Sequence, residues 1–85
     1  MKFIKKGKAA KSKEAELLLV DEKSNAYKVD PAVTVIWTMC DGKRTPEQIV
    51  DELTIRTKIE KIKLEPLVSE VLSKLEQSGL IQKIE

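Results

Sequence analysis

Between Leu64 and Gly79 the chain carries a stripe that a helix packed on other elements satisfies. Leu64, Leu67, Val68, Val71, Leu72 and Leu75 return at three- and four-residue steps in a heptad-like pattern. Pro66 is acceptable only in a first turn, because it lacks an N–H and crowds the preceding turn. That requirement predicts a helix over Leu64–Ser78, with Gly79 as its C-terminal stop. Such a stripe needs a second layer to cover it. In 85 residues there is room for one small core and no more.

Two further helices are punctuated upstream. Asp30 is placed to cap a helix whose first position is Pro31. Val33, Ile36, Trp37 and Cys40 then fall on one face, and Gly42 follows as a closing residue. Strand-favouring Val, Ile and Thr crowd this stretch, but the cap, the spacing and the glycine outweigh them. Thr45-Pro46-Glu47-Gln48 forms a capping-box pattern for the next helix, with Ile49, Val50 and Leu53 as its buried side. The segment Thr54–Lys63 has two readings: Ile55, Ile59 and Ile62 either extend that helix or line a loop folding back on the core.

Ahead of the helices, Glu16–Val20 and Ala26–Val29 are strand-like. Tyr27 and Val29 share one face of the second run, with Lys28 on the other. The five polar residues Asp21–Asn25 between them suit a hairpin. Weaker strand signals sit at Lys2–Lys5, with Phe3 and Ile4, and at Leu80–Ile84. The expected fold is α+β and winged-helix-like: an N-terminal β-hairpin or small antiparallel sheet followed by three α-helices.

Charge divides the chain. Residues 1–13 hold six lysines and no acid, whereas residues 14–85 hold ten basic and fourteen acidic groups. The expected organisation is a basic, flexible N-terminal arm over residues 1–13 and a single domain over residues 14–85. The arm is either simply solvated or touches an anionic partner. With 41% hydrophobic and 35% charged residues the balance is globular rather than disordered. The longest apolar run, Leu17–Val20, is far short of the ~20 residues of a membrane span. No apolar core of a secretory signal follows Lys2, Lys5 and Lys6, so a cytoplasmic location is expected.

Residue usage removes most chemistry. There is no His, and Cys40 is the one cysteine, so imidazole acid–base work, an intrachain disulfide and a multi-cysteine metal site are out. Gly7, Gly42 and Gly79 lie too far apart for a phosphate-cradling loop. No cofactor is expected, and a binding module is favoured over an enzyme. Trp37 and Cys40 read as core residues, because a reactive thiol would need a nearby base.

The run Ile36-Trp37-Thr38-Met39-Cys40-Asp41-Gly42, then Thr45, Ile49, Val50 and Leu53, then the leucine-rich helix ending Leu75-Glu76-Gln77-Ser78-Gly79-Leu80-Ile81, resembles the pyrroloquinoline quinone biosynthesis protein D family. The likeness covers about residues 14–82. Asp30-Pro31 stands where the family usually has an Asn or similar residue, which keeps the cap chemistry. The resemblance implies a peptide chaperone, or precursor-peptide recognition element. Such a protein binds the leader of a ribosomally made peptide and presents it to a modifying enzyme of the radical S-adenosylmethionine type. The iron–sulfur clusters of that pathway would belong to the enzyme. The family's groove, carried over, lies between strand Ala26-Tyr27-Lys28-Val29 and the third helix at Leu67, Val71, Lys74 and Leu75. Strand addition would supply register, and apolar pockets choice.

DNA binding is the main rival, since winged helices often enter the major groove. Acids argue against it: Glu47, Asp51 and Glu52 in the second helix, and Glu65, Glu70 and Glu76 against Lys74 in the third. No nucleic-acid or membrane partner is expected. An open sheet edge is compatible with a monomer or a homodimer.

Overall fold

The computed structural model describes residues 1–84. Five strands and three helices run in the order β1 (Phe3–Lys5), β2 (Lys8–Lys11), β3 (Leu17–Val20), β4 (Ala26–Lys28), α1 (Pro31–Met39), α2 (Pro46–Thr57), α3 (Lys61–Gln77) and β5 (Ile81–Lys83). The α+β expectation holds. The strands make two antiparallel sheets, β1–β5 and β2–β3–β4.

The flexible arm is corrected: residues 1–13 contribute two strands. Phe3 pairs with Lys83 across the β1–β5 ribbon and is buried in the core. Lys8–Lys11 pairs along β3 from Val20 to Leu17. The domain therefore begins well before residue 14. The lysines conceal this: Lys5, Lys8 and Lys11 occupy exposed strand positions, and the stretch has a single deep anchor, Phe3. Gly7 makes the turn between the strands. It holds φ +77°, and a Cβ there would fall 2.0 Å from the Val20 carbonyl oxygen, so no other residue fits.

The hairpin β3–β4 forms as the sequence predicts, one residue shorter at each outer end. Val29 lies past the end of β4 but still donates its N–H to Leu17 O at 3.1 Å. The tip is tied by Asp21, whose carboxylate accepts from the N–H groups of Asn25 (2.8 Å) and Lys23 (2.9 Å). Those donors, Asn25 foremost, hold its carboxyl below the usual range.

Helix α1 starts at Pro31 after an extended Asp30, although the Asp30 side chain makes no capping bond. Its buried face holds Ile36, Trp37 and Cys40, with Met39 added and Val33 half-buried. Gly42 does not close the helix directly. Cys40 is the cap, and Gly42, at φ +80°, donates to Phe3 O at 2.8 Å and so ties this corner to β1. Asp41 accepts from the backbone of Lys43 and Arg44, and the Arg44 guanidinium bridges Asp41 to Glu52 of α2.

The α2 capping box is complete. Thr45 Oγ1 accepts from Gln48 N at 3.2 Å, and Gln48 Oε1 accepts from Thr45 N at 2.8 Å. Neither reading covers the whole of segment 54–63: α2 continues only to Thr57, the chain turns at Lys58, and α3 begins at Lys61, so Ile59 lies in the turn and Ile62 in the next helix. Its isoleucines do not return to the core; Ile55 and Ile62 are three-quarters exposed. The third helix thus starts three residues before the predicted Leu64, and Pro66 lies past the first turn. The first turn already relies on Glu60 O, which accepts from both Lys63 N and Leu64 N. The only bond forgone at Pro66 is the one its absent N–H would make to Ile62.

The core draws on every layer. Leu19, Ile49, Leu80, Val68 and Cys40 are its most deeply enclosed side chains. Trp37 fastens the layers together: its indole N–H donates to Leu80 O at 2.9 Å and approaches Lys6 O at 3.3 Å. Lys5 Nζ lies 5.3 Å from the ring centroid, within cation–π range.

Trp37→Phe should lower stability by about 2 kcal/mol, from a lost buried bond and poorer filling. Urea unfolding followed by circular dichroism measures this, because Trp37 is the sole tryptophan. A loss below about 0.5 kcal/mol would remove the indole from its fastening role. Burial pushes the Cys40 thiol from its ordinary 9.0 up to about 11, with Asp41 adding to the effect and Lys5 opposing it. Between those values the unfolded chain has released the proton and the folded chain retains it. Stability therefore falls as pH rises through 9 to 11, by at most about 1.4 kcal/mol per pH unit. Wild type should lose stability more steeply than Cys40→Ala across that window; equal slopes would contradict a buried thiol.

Candidate functional site

Strand β4 ends the three-stranded sheet, and its outer border carries the site. Val29 and Leu17 share a hydrogen-bonded rung, as do Asp21 and Asn25 at the other end. With Leu19 opposite Tyr27, the alternation of an antiparallel ladder turns the Tyr27 backbone toward β3. The N–H and C=O groups of Ala26 and Lys28 therefore point away from the sheet. The opposite border, β2, is flanked by exposed Lys8 and Lys11, charges that discourage pairing.

Beside β4 lies a cleft of about 410 Å³ between the strand, the first turns of α1 and the outer face of α3. Tyr27 and Val29 form the strand side, while Leu67, Val71 and Leu75 form the helical wall. Val33, Ile36 and Leu80 close the base. Leu75 and Val71 are core residues that show only an edge, whereas Leu67 is 48% exposed. Leu67 shares the α3 stripe, yet it packs into this cleft instead of the interior. Such an apolar, partly open trough has unfilled capacity for side chains.

Polar groups sit at the rim. The Tyr27 hydroxyl donates to Asp21 Oδ2 at 3.3 Å, fixing the ring against the hairpin tip. Desolvation, then the Asp21 charge, raises the Tyr27 phenol, so it stays a neutral donor. Lys28 pairs with Glu16, and Lys74 with Glu70 at 3.1 Å one turn away. Both pairs are solvent-exposed and add little to stability.

Tyr27, Lys28, Val29, Leu67, Val71, Lys74 and Leu75 all line this cleft. Ala26 does not; its contribution is the outward backbone of the strand. Reasoning from sequence missed the α1 side, namely Asp30, Ala32, Val33 and Ile36, together with Glu70, Ser78 and Leu80. A signal existed: Asp30-Pro31 starts a helix directly after β4, so its first turn must lie beside the strand.

A larger groove of about 540 Å³ occupies the other side of α3, against α2 and the β1–β5 ribbon. Phe3, Val50, Val68 and Leu72 form its apolar part, but Glu47, Lys61, Glu65, Glu76 and Lys83 also line it, so it carries more charge than the cleft beside β4. Among the described residues no cluster of His, Cys, Asp and Glu is spaced to hold a metal ion. Among them also, no helix is long and apolar enough to cross a membrane.

Two solved structures share the fold. One is described as lasso peptide synthetase B1 complexed with the leader peptide: TM-score 0.75, 14% identity, 98% of this chain and 100% of that one. The other is described as TbiB1 in complex with the TbiA(beta) leader peptide: TM-score 0.75, 20% identity, 100% of this chain and 99% of that one. No curated protein matches the sequence. Residues 16–81, which span β3 through the first residue of β5 and so the whole cleft, match the family model described as Coenzyme PQQ synthesis protein D (PqqD), and the chain belongs to that family.

Proposed function

We propose that the protein is a non-catalytic carrier for the leader segment of a ribosomally made precursor peptide. The leader adds as a strand to β4 and lowers its apolar side chains into the cleft. The observation that carries this reading is the coincidence of an open strand border with an apolar trough along the same line. Both neighbours of the same fold are described as bound to leader peptides, which supports it. The resemblance to the family extends the reading to a radical S-adenosylmethionine enzyme that receives the loaded peptide in the cytoplasm. Cofactor chemistry would then reside wholly in that enzyme.

Magnitudes say where affinity comes from. Ala26 and Lys28 offer four main-chain groups, worth about 2–6 kcal/mol together. Association and peptide ordering cost at least ~4 kcal/mol. Strand bonds alone therefore come close to cancelling that cost. Two or three leader side chains in the trough, at ~1.5–3 kcal/mol each, bring binding to about the micromolar range.

The test is an NMR titration of the labelled protein with leader peptides from precursors encoded beside it. Amide shifts should gather at Ala26–Val29 and along Leu67–Leu75. Lys28→Pro deletes one outward N–H without touching a β3–β4 rung, and should weaken binding more than tenfold. Lys28→Ala should stay within about threefold, because its ion pair is exposed. Leu67→Glu, at a half-exposed position, should also cost more than tenfold while leaving the melting temperature unchanged within a few degrees. Full affinity in both Lys28→Pro and Leu67→Glu would dispose of strand addition.

A further inference from the structure

A strand added to β4 has two faces, and only one of them lies over the cleft. Leu19 pairs with Tyr27 and is fully enclosed in the core, so that rung faces inward. Successive side chains alternate across a sheet. The rungs on either side, Leu18 with Lys28 and Val20 with Ala26, therefore face outward. Ala10 and Lys8 continue these two rungs onto β2. Leu18 and Val20 line no part of the cleft, which agrees with this division. At the β4 border the outward rungs end in Lys28 and Ala26, so Lys28 is the charge that a guest strand meets there. It pairs with Glu16, which lies on the same outward side, two residues before Leu18. The Lys28 side chain is nonetheless 72% exposed. An ammonium has three donors, and the bond to Glu16 leaves others for a second acceptor.

We infer that Lys28 selects the leader by charge: the guest residue directly beside it in the extended sheet is Asp or Glu. The inference rests on the carrier reading and names the chemistry of the guest's outward face. Directly opposed residues on neighbouring strands hold their Cβ atoms about 4.5–5.5 Å apart, where opposite charges stabilise and like charges destabilise. Glu16 belongs to the next strand over, about 4.8 Å further from the guest. A guest cation therefore meets the Lys28 ammonium before the Glu16 carboxylate. The trough side has no matching preference, because Lys74 and Glu70 on the helical bank already pair with each other.

The leader is thus two-sided, apolar toward α3 and acidic outward beside Lys28. Its acid is the immediate sequence neighbour of the residue that faces the trough opposite Tyr27. Facing depends only on the alternation of side chains, so this adjacency holds whichever way the leader runs along β4. The two elements divide the work. Apolar side chains in the trough supply most of the affinity, while Lys28 discriminates among segments that are equally apolar. An exposed pair is screened by salt, so the discrimination is strongest at low ionic strength.

The experiment uses the full chain and synthetic leader peptides from the precursor encoded beside it. Nuclear Overhauser contacts to the Lys28 main chain identify the guest residue at that position, and the peptide is made with either Glu or Lys there. By calorimetry at low salt, wild type should bind the Glu form about tenfold more tightly than the Lys form. The ratio should fall below about threefold in roughly 0.5 M sodium chloride. Lys28→Ala should bring the low-salt ratio close to one, and Lys28→Glu should invert it. Equal affinities in wild type, or an unchanged order of preference in Lys28→Glu, overturns the inference. Should Lys28→Glu fail to fold, Lys28→Ala decides: a ratio that stays near tenfold overturns it. A leader that pairs with β4 and is indifferent to this charge defeats the inference alone. A leader that binds with no contact to β4 defeats the carrier reading with it.

Discussion

One carbonyl organises the interior. Leu80 O accepts from both the Trp37 indole and the Lys6 backbone N–H, at 2.9 and 2.8 Å. Three segments distant in sequence meet there: the turn leaving β1, the buried face of α1, and the chain as it leaves α3. An acceptor at that depth is costly to leave unpaired, so the three segments have little freedom to drift. The position of α1 follows from this knot, and its first turns, Ala32 to Ile36, become the base of the cleft. The trough is in this sense a by-product of how the core is fastened.

The cleft reuses core residues at their edges. Val71 and Leu75 spend most of their surface on the interior and a little on the trough, while Leu67 reverses that division. A single helical stripe thereby serves two purposes, and the residue count stays within what one small domain supports. Selectivity between strand borders comes from the same economy. Lysines shield β2, while β4 pairs an open backbone with an apolar neighbour.

Local punctuation was the most legible part of the sequence. Thr45 to Gln48 specifies its helix start by chemistry confined to four residues, and the structure realises both bonds. The polar stretch Asp21–Asn25 likewise announces a turn, because Asp21 satisfies the tip by itself. The family likeness was legible too, since the run around Trp37-Thr38-Met39-Cys40-Asp41-Gly42 encodes the core knot and its corner. What escaped depended on distant contacts. Nothing local distinguishes Phe3 within a lysine-rich stretch from a residue in a tail; only its β5 partner and the core do so. Pro66 misled because the Glu60 carbonyl, upstream of the expected start, anchors the turn before it. The α1 side of the cleft was hidden because Val33 and Ile36 fit a core stripe equally well.

The Asp21 knot carries an evolutionary consequence. By gripping both the loop backbone and the Tyr27 hydroxyl, it welds the hairpin tip to the trough as one mechanical piece. Loop residues that do not line the cleft thus bear on how its tyrosine wall is held. Drift at the tip can therefore reshape the wall of the cleft while the interior stays untouched. A designer swapping hairpins within this fold must move Asp21 and Tyr27 as a couple, or the phenol loses its acceptor.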